Sequence, residues 1–161
     1  DDDPAGAREL LEASSEELTL ALEELRELAR GIHPAILTNR GLPAALEALA
    51  ARAPVPVELR SVCQDRLPDS VEAAAYYVIA ESLTNVAKYS QATTAQVSVT
   101  RRDGVAIVVV EDDGVGGVDT TRGSGLRGLA DRVEALAGRL EIDSAPGRGT
   151  LVRAEIPIAS D

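Results

Sequence analysis

Alternating steps of three and four residues run through the first part of the chain. Between 7 and 33, Leu11, Ser14, Leu18, Leu22, Leu25, Ala29 and Ile32 form one seam with Glu and Arg between them, the spacing of an amphipathic helix with coiled-coil character. Pro34 is expected to end or kink it. A second, short helix is predicted over 42–53, before Pro54-Val55-Pro56. The period then changes to two: Val57-Glu58-Leu59-Arg60-Ser61-Val62 alternates as a half-buried strand does. Helical character returns from Asp69 to about Ser90. Strands come next over 95–101 and 105–111, joined through Asp103-Gly104, a strong hairpin turn signal. After a glycine-rich stretch comes a helix over 126–137, which Gly138 is expected to close. Strands at 139–143 and 150–156, around Pro146-Gly147-Arg148-Gly149, complete the chain. This mixture implies an α/β sandwich, a sheet with helices on one face.

Charge narrows the partners. With 27 acidic and 16 basic residues the net charge is −11, which opposes docking on a phosphate backbone or an anionic membrane. No nucleic-acid partner is expected. No apolar run approaches the roughly 20 residues that span a bilayer, and no signal peptide opens the chain; a soluble, cytoplasmic fragment is expected. Methionine is absent, even at position 1, as in a piece of a longer protein. The single cysteine, Cys63, lacks metal-ligand companions at useful spacing and is expected to be buried and inert.

Three constellations carry chemistry. On the helix over 69–90, at about 100° per residue, Glu81, Asn85 and Lys88 fall within about 60° of one another, opposite Ile79, Leu83 and Val86. An ordinary solvated face would look the same. An amide and a carboxylate one turn apart can also offer hard oxygens to a Mg²⁺ that completes its shell with water and phosphates. The second is Val108-Val109-Val110-Glu111-Asp112-Asp113-Gly114-Val115-Gly116-Gly117, an apolar strand running into a carboxylate and then glycines, where backbone can approach a ligand closely. Asp112 could accept a hydrogen bond from the adenine amino group. An acidic turn would share the pattern, but a calcium loop would need a fuller acidic ladder. The third is Gly123-Ser124-Gly125-Leu126-Arg127-Gly128-Leu129, a glycine-rich opening of a helix, whose free N–H groups and dipole favour phosphate. It is neither a Walker loop nor a Rossmann fingerprint.

In this order the boxes resemble the ATPase fold shared by histidine kinases, DNA gyrase, Hsp90 and MutL. Glu81-x-x-x-Asn85-x-x-Lys88-Tyr89 looks like the N box, Asp112-x-Gly114-x-Gly116 like the first glycine box, Gly123-x-Gly125-Leu126 like the second, and Gly147-x-Gly149-Thr150 like the last. Upstream, Leu25-Arg26-Glu27-Leu28-Ala29-Arg30-Gly31-Ile32-His33-Pro34, with Gly41-Leu42 and Ala44-Ala45-Leu46 after it, is similar to the end of the second dimerisation helix and the linker of NarL/DesK-type sensor histidine kinases. The run Gly125-Leu126-Arg127-Gly128-Leu129-x-x-Arg132-Val133 and a short lid over 117–124 also look like that subfamily, whereas Tyr89 departs from its usual histidine.

The resemblance implies a Bergerat fold, a two-layer sandwich of a mixed sheet with helices on one face, preceded by an N-terminal helix. It divides the chain into the end of a dimerisation helix (1–34), a linker with a short helix (35–56) and an ATP-binding catalytic domain (57–161). It implies ATP and Mg²⁺ as cofactors, with Asn85 on the metal, Glu81 beside it, Asp112 on adenine, and Gly114, Gly116, Gly123, Gly125, Leu126 and Thr150 around the nucleotide. Glu81, Asn85 and Lys88 are the catalytic candidates, Lys88 and Arg127 are candidates for steadying phosphate charge, and Tyr89 belongs to the ATP-binding set. The implied activity is transfer of the γ-phosphate to a histidine on a helix outside this chain, then to a response-regulator aspartate, in a cytoplasmic homodimer that is free or belongs to a membrane-bound sensor. His33 is expected to be structural, because the family's phosphoacceptor sits on the first dimerisation helix. The alternatives are an anti-sigma-factor-type serine kinase, which would lack the helix over 7–33, a gyrase/MutL-type hydrolytic ATPase with Glu81 as general base, and a signalling module without nucleotide.

Overall fold

The computed structural model describes residues 35–118 and 124–158. The seam over 7–33, His33 and Gly123 lie outside the described residues. Contacts divide the chain into two units with the boundary at Pro34/Ala35, and the second unit holds all the described elements.

Its first element, α1 (Ala35–Ala50), is two short helices broken at Gly41, whose φ of 79° is open to glycine. Leu37, Leu42, Ala45 and Leu46 are buried, so the segment read as a linker carries core residues. Strand β1 (Val57–Val62) comes next, and then α2 (Asp69–Asn85). Pro68 caps α2 without a side-chain bond: its carbonyl accepts the N–H groups of Val71 and Glu72. Glu72 reaches back to accept the Leu67 N–H at 3.1 Å and the Arg66 guanidinium at 2.9 Å. With both partners, a carboxylate 1% exposed is tolerable in the interior.

Beyond Asn85 the helix widens into a π-helical turn, Val86–Ser90, which ends at Gln91 in the left-handed region (φ 53°). The Ser90 hydroxyl donates to Val86 O at 2.8 Å and accepts the Ala92 N–H at 3.0 Å. The uniform angular reckoning of the sequence therefore holds for Glu81 and Asn85 but not for Lys88, because a π turn advances fewer degrees per residue than an α-helix.

Strands β2 (Ala95–Arg102) and β3 (Val105–Asp112) pair antiparallel through Asp103-Gly104, both at positive φ (50° and 76°), as a tight hairpin requires. Helix α3 (Ser124–Glu134), β4 (Arg139–Asp143) and β5 (Thr150–Pro157) complete the unit. The sheet order is β1-β2-β3-β5-β4, with β1 parallel to β2 and every other pair antiparallel. Val97, Val99, Ala106, Val108, Val110, Val152, Ala154 and Ile156 are buried at alternate positions, facing the helices. Helix α2 packs on β2, β3 and β5, with α1 and α3 beside it.

Two local expectations are revised. Residue 137, not 138, takes the left-handed position after α3: Ala137 has φ 55°, and the N–H groups of Ala137 and Gly138 donate to Glu134 O and Val133 O, a Schellman-type close. Gly138 is required for space, since a Cβ there would lie 2.5 Å from Glu155 O. Cys63 is half-buried. It borders an open cleft of about 730 Å³ with Arg60, Asp65, Thr100, Arg101 and Asp103, at the sheet end away from Asp112.

Candidate nucleotide site

Topology brings the boxes together. Helix α2 is the connection between parallel β1 and β2, so its C-terminal end must return to the sheet end where β2 starts. Antiparallel β3 terminates at that same end, with Asp112 opposite Ala95 and Thr150 in the ladder.

Contacts then join the boxes pairwise. A Cβ on Gly114 would lie 2.2 Å from Ser90 O and 2.7 Å from Asp112 Oδ1, and the Val115 N–H donates to Ser90 O at 2.8 Å. The first glycine box is thus seated on the end of the N-box helix. Gly116 (φ 61°) and Gly149 (φ 71°) meet across the loops: a Cβ on Gly116 would be 2.7 Å from Gly149 O, and one on Gly149 would be 1.9 Å from Asp112 O. The Gly147 N–H donates to Val115 O at 2.6 Å and the Gly117 N–H to Ser144 O at 2.9 Å. On the other side, a Cβ on Gly125 would be 2.2 Å from Glu81 Oε1, so the second glycine box and the N box touch through Glu81.

Asp112 is 7% exposed. Its Oδ1 accepts the Gly114 N–H at 2.8 Å. Burial pushes its carboxyl above the ordinary value, and the Asp113 charge adds to this; hydrogen bonds from Gly114 and from the backbone and side chain of Thr150 oppose it. Thr150 is held in turn by Ser144, their hydroxyls 2.9 Å apart. A desolvated carboxylate with one oxygen engaged by backbone can still accept a directed hydrogen bond, which is worth more away from water.

Asp113 does something different. Its carboxylate accepts the N–H of Thr93 at 2.8 Å, the N–H of Thr94 at 3.0 Å and the Thr93 hydroxyl. The Thr93 hydroxyl first, with the Thr94 and Thr93 N–H groups, holds its carboxyl below the ordinary value. Asp113 stands in the acidic run, and Ser90 at the end of the helix, without any role legible in the sequence, because their partners lie far away in the chain or on the backbone.

Glu81 and Asn85 are half-buried on the last turns of α2, and Leu126 packs against the core. Lys88 and Arg127 are exposed and form no ion pair among the described residues, and Tyr89 is 69% exposed. The structure therefore joins Glu81, Asp112, Gly114, Gly116, Gly125 and Thr150 by contact and leaves Lys88, Tyr89 and Arg127 at the surface. Among the described residues no cluster of three or more His, Cys, Asp or Glu could hold a metal alone.

Fold and contacts together define a Bergerat-type α/β sandwich. The sequence profile of the histidine kinase-, DNA gyrase B- and HSP90-like ATPases matches residues 70–160, and the chain belongs to that family, which implies ATP binding. Over 98% of its length the chain is 33% identical to an uncharacterized sensor-like histidine kinase of Chloroflexus aurantiacus, covering 29% of that protein. Over 85% it is 31% identical to the oxygen sensor histidine kinase NreB of Staphylococcus carnosus, covering 42% of it. The chain thus spans less than half the length of these curated relatives. Among solved structures, the histidine kinase AdeS of Acinetobacter baumannii shares the fold with a TM-score of 0.64 at 18% identity, over 99% of this chain and 87% of that one. A blue-light activated histidine kinase of Erythrobacter litoralis does so with a TM-score of 0.62 at 23% identity, over 73% of this chain and 41% of that one.

Proposed function

We propose that this chain is the ATP-binding kinase domain of a two-component sensor histidine kinase of the NarL/DesK type, preceded over 1–34 by the end of a dimerisation helix. It holds Mg·ATP and presents the γ-phosphate to a histidine outside the chain, from which phosphate passes to an aspartate on a response-regulator receiver domain. The observation that carries this reading is the pairwise joining of the N box and glycine boxes around a buried carboxylate at a strand end.

In this reading Asp112 accepts the adenine amino group, while Gly114, Gly116 and Gly149 keep backbone close enough to enclose the base. Asn85 and Glu81 supply oxygens to the metal, which offsets phosphate charge when bound. Gly125 and Leu126, at the opening of α3, meet the phosphates. Lys88 and Arg127, exposed at the surface, steady the phosphate charge, and Tyr89 belongs to the nucleotide-binding set. Positioning and charge complementarity carry the chemistry, as in other phosphoryl transfers. The histidine kinase reading places the domain's work in the cytoplasm. Among the described residues no helix is long and apolar enough to cross a membrane. The whole protein acts as a homodimer.

Calorimetric titration with Mg·ATP tests the first half: the 161-residue chain binds it, and a flat titration overturns the reading. Radiolabelled ATP tests the second. Label enters a histidine of the full-length protein and moves to a receiver aspartate, while the 161-residue chain alone stays unlabelled. His33→Gln in the full-length protein leaves transfer intact; its loss with ATP binding retained would reassign that residue.

A further inference from the structure

Asp112 and Asp113 are consecutive at the end of β3, yet only the first is buried. The second carboxylate engages the chain segment that returns from the π turn to β2. It takes the N–H groups of Thr93 and Thr94 and the Thr93 hydroxyl, and its own N–H donates to Thr94 O at 3.4 Å. Ser90, at the head of the same segment, is held by the Val115 N–H and packed against Gly114. Residues 90–94 are thus gripped at both ends by residues 113–115. Lys88 lies on the π turn that leads into this segment and Asn85 at the end of α2 just before that turn, while Asp112 immediately precedes the grip.

We propose that Asp113 is a positioning residue of the nucleotide site: by clamping Thr93 and Thr94 it sets the distance between the metal and phosphate end, at Asn85 and Lys88, and the adenine end, at Asp112. The inference rests on the nucleotide reading of the site. A clamp of this kind has a distinctive consequence. Adenosine needs only the Asp112 end, so it is insensitive to the spacing. Mg·ATP must engage both ends at once, and that simultaneous fit depends on pre-set geometry.

Calorimetric affinities of the 161-residue chain for adenosine and for Mg·ATP test this. Asp113→Ala lowers Mg·ATP affinity about tenfold, the scale of losing hydrogen bonds to a charged acceptor, and changes adenosine affinity by less than about twofold. Asp113→Asn restores Mg·ATP binding to within about twofold of wild type, because its amide oxygen can accept both N–H groups and its nitrogen can meet the Thr93 hydroxyl. Thr93→Val, which removes one bond and keeps the shape, lowers Mg·ATP affinity about threefold and carries the test if Asp113→Ala does not fold. Variants that weaken both ligands equally, or neither, overturn the positioning role while leaving the nucleotide reading standing. A wild-type chain that binds no Mg·ATP overturns both.

Discussion

The carboxylate of Glu81 fills the space that a side chain at Gly125 would need, with Oε1 2.2 Å from the Cβ position. The obstacle is the far end of a flexible side chain, so Gly125→Ala displaces Glu81 rather than breaking the fold. Its melting temperature is expected within a few degrees of wild type, as for a substitution costing about 1 kcal/mol or less. The Mg²⁺-dependent increment in ATP affinity falls severalfold. Thermal melting and titrations with and without Mg²⁺ check the pair, and an unchanged increment would remove Glu81 from the metal end.

Gly149 presents the opposite case. Its φ is +71°, and a Cβ would meet the backbone oxygen of Asp112 at 1.9 Å, which no rotamer can relieve. Gly149→Ala is expected to lose about 2–4 kcal/mol, the left-handed cost plus the backbone clash, by denaturant unfolding. Nucleotide should recover part of that loss by mass action.

Asp112 gives the site a pH dependence of defined sign. Burial raises its carboxyl above the ordinary 3.8, so it takes up a proton earlier on acidification than a free aspartate does. Protonated, it offers the adenine amino group a poorer acceptor. Adenosine affinity is therefore full at neutral pH and declines as pH falls through the raised value, while Asp112→Asn binds weakly at every pH. For stability the same shift runs the other way: the folded state binds the proton more readily, so between the raised value and 3.8 acidification relieves a desolvated charge. Adenosine titrations carried from pH 7 down to the ordinary carboxyl value of 3.8 check the binding half, and a profile flat over that whole range contradicts it.

Ala137 occupies a left-handed position, φ 55°, where a Cβ is unfavourable. Ala137→Gly removes a penalty of about 1–2 kcal/mol and adds unfolded-state entropy, for a net gain of about 0.5–1 kcal/mol. Gly138→Ala, against Glu155 O, loses stability. Paired thermal melts check the contrast.

The Ser82 hydroxyl is buried within α2 with no hydrogen-bond partner among the described residues. Ser82→Ala is expected to raise stability by about 1 kcal/mol, through relief of an unsatisfied polar group and better helix propensity. Chemical denaturation measures it; a loss would mean that the hydroxyl has a partner in solution.

Where the chain was readable, one periodicity met one surface. The two-residue alternation in β2, β3 and β5 places Val97, Val108 and Val152 inward, and each is buried. Ile79, Leu83 and Val86 likewise fall on the core side of α2 and its extension. Asp112 and the glycines could be picked out because each box has a local spacing. What escaped depends on partners distant in sequence or on backbone pairing. Asp113 acts on residues 20 positions earlier, Glu72 is buried because Arg66 and the Leu67 N–H satisfy it, and a π turn has no residue-type signature. The left-handed residue after α3 was missed because the glycine beside it is required by crowding rather than by φ.

The Asp103-Gly104 turn stands at the end of the β2–β3 hairpin farthest from Asp112, and a side chain at Gly104 would meet nothing within 4 Å. The hairpin therefore has one crowded tip and one that is open around it but held by the positive φ angles of Asp103 and Gly104, so a fluorophore-bearing loop or an affinity peptide is best spliced in there as a replacement for the whole turn. Such a graft would report on the domain from roughly the length of a strand away, with every box left in register.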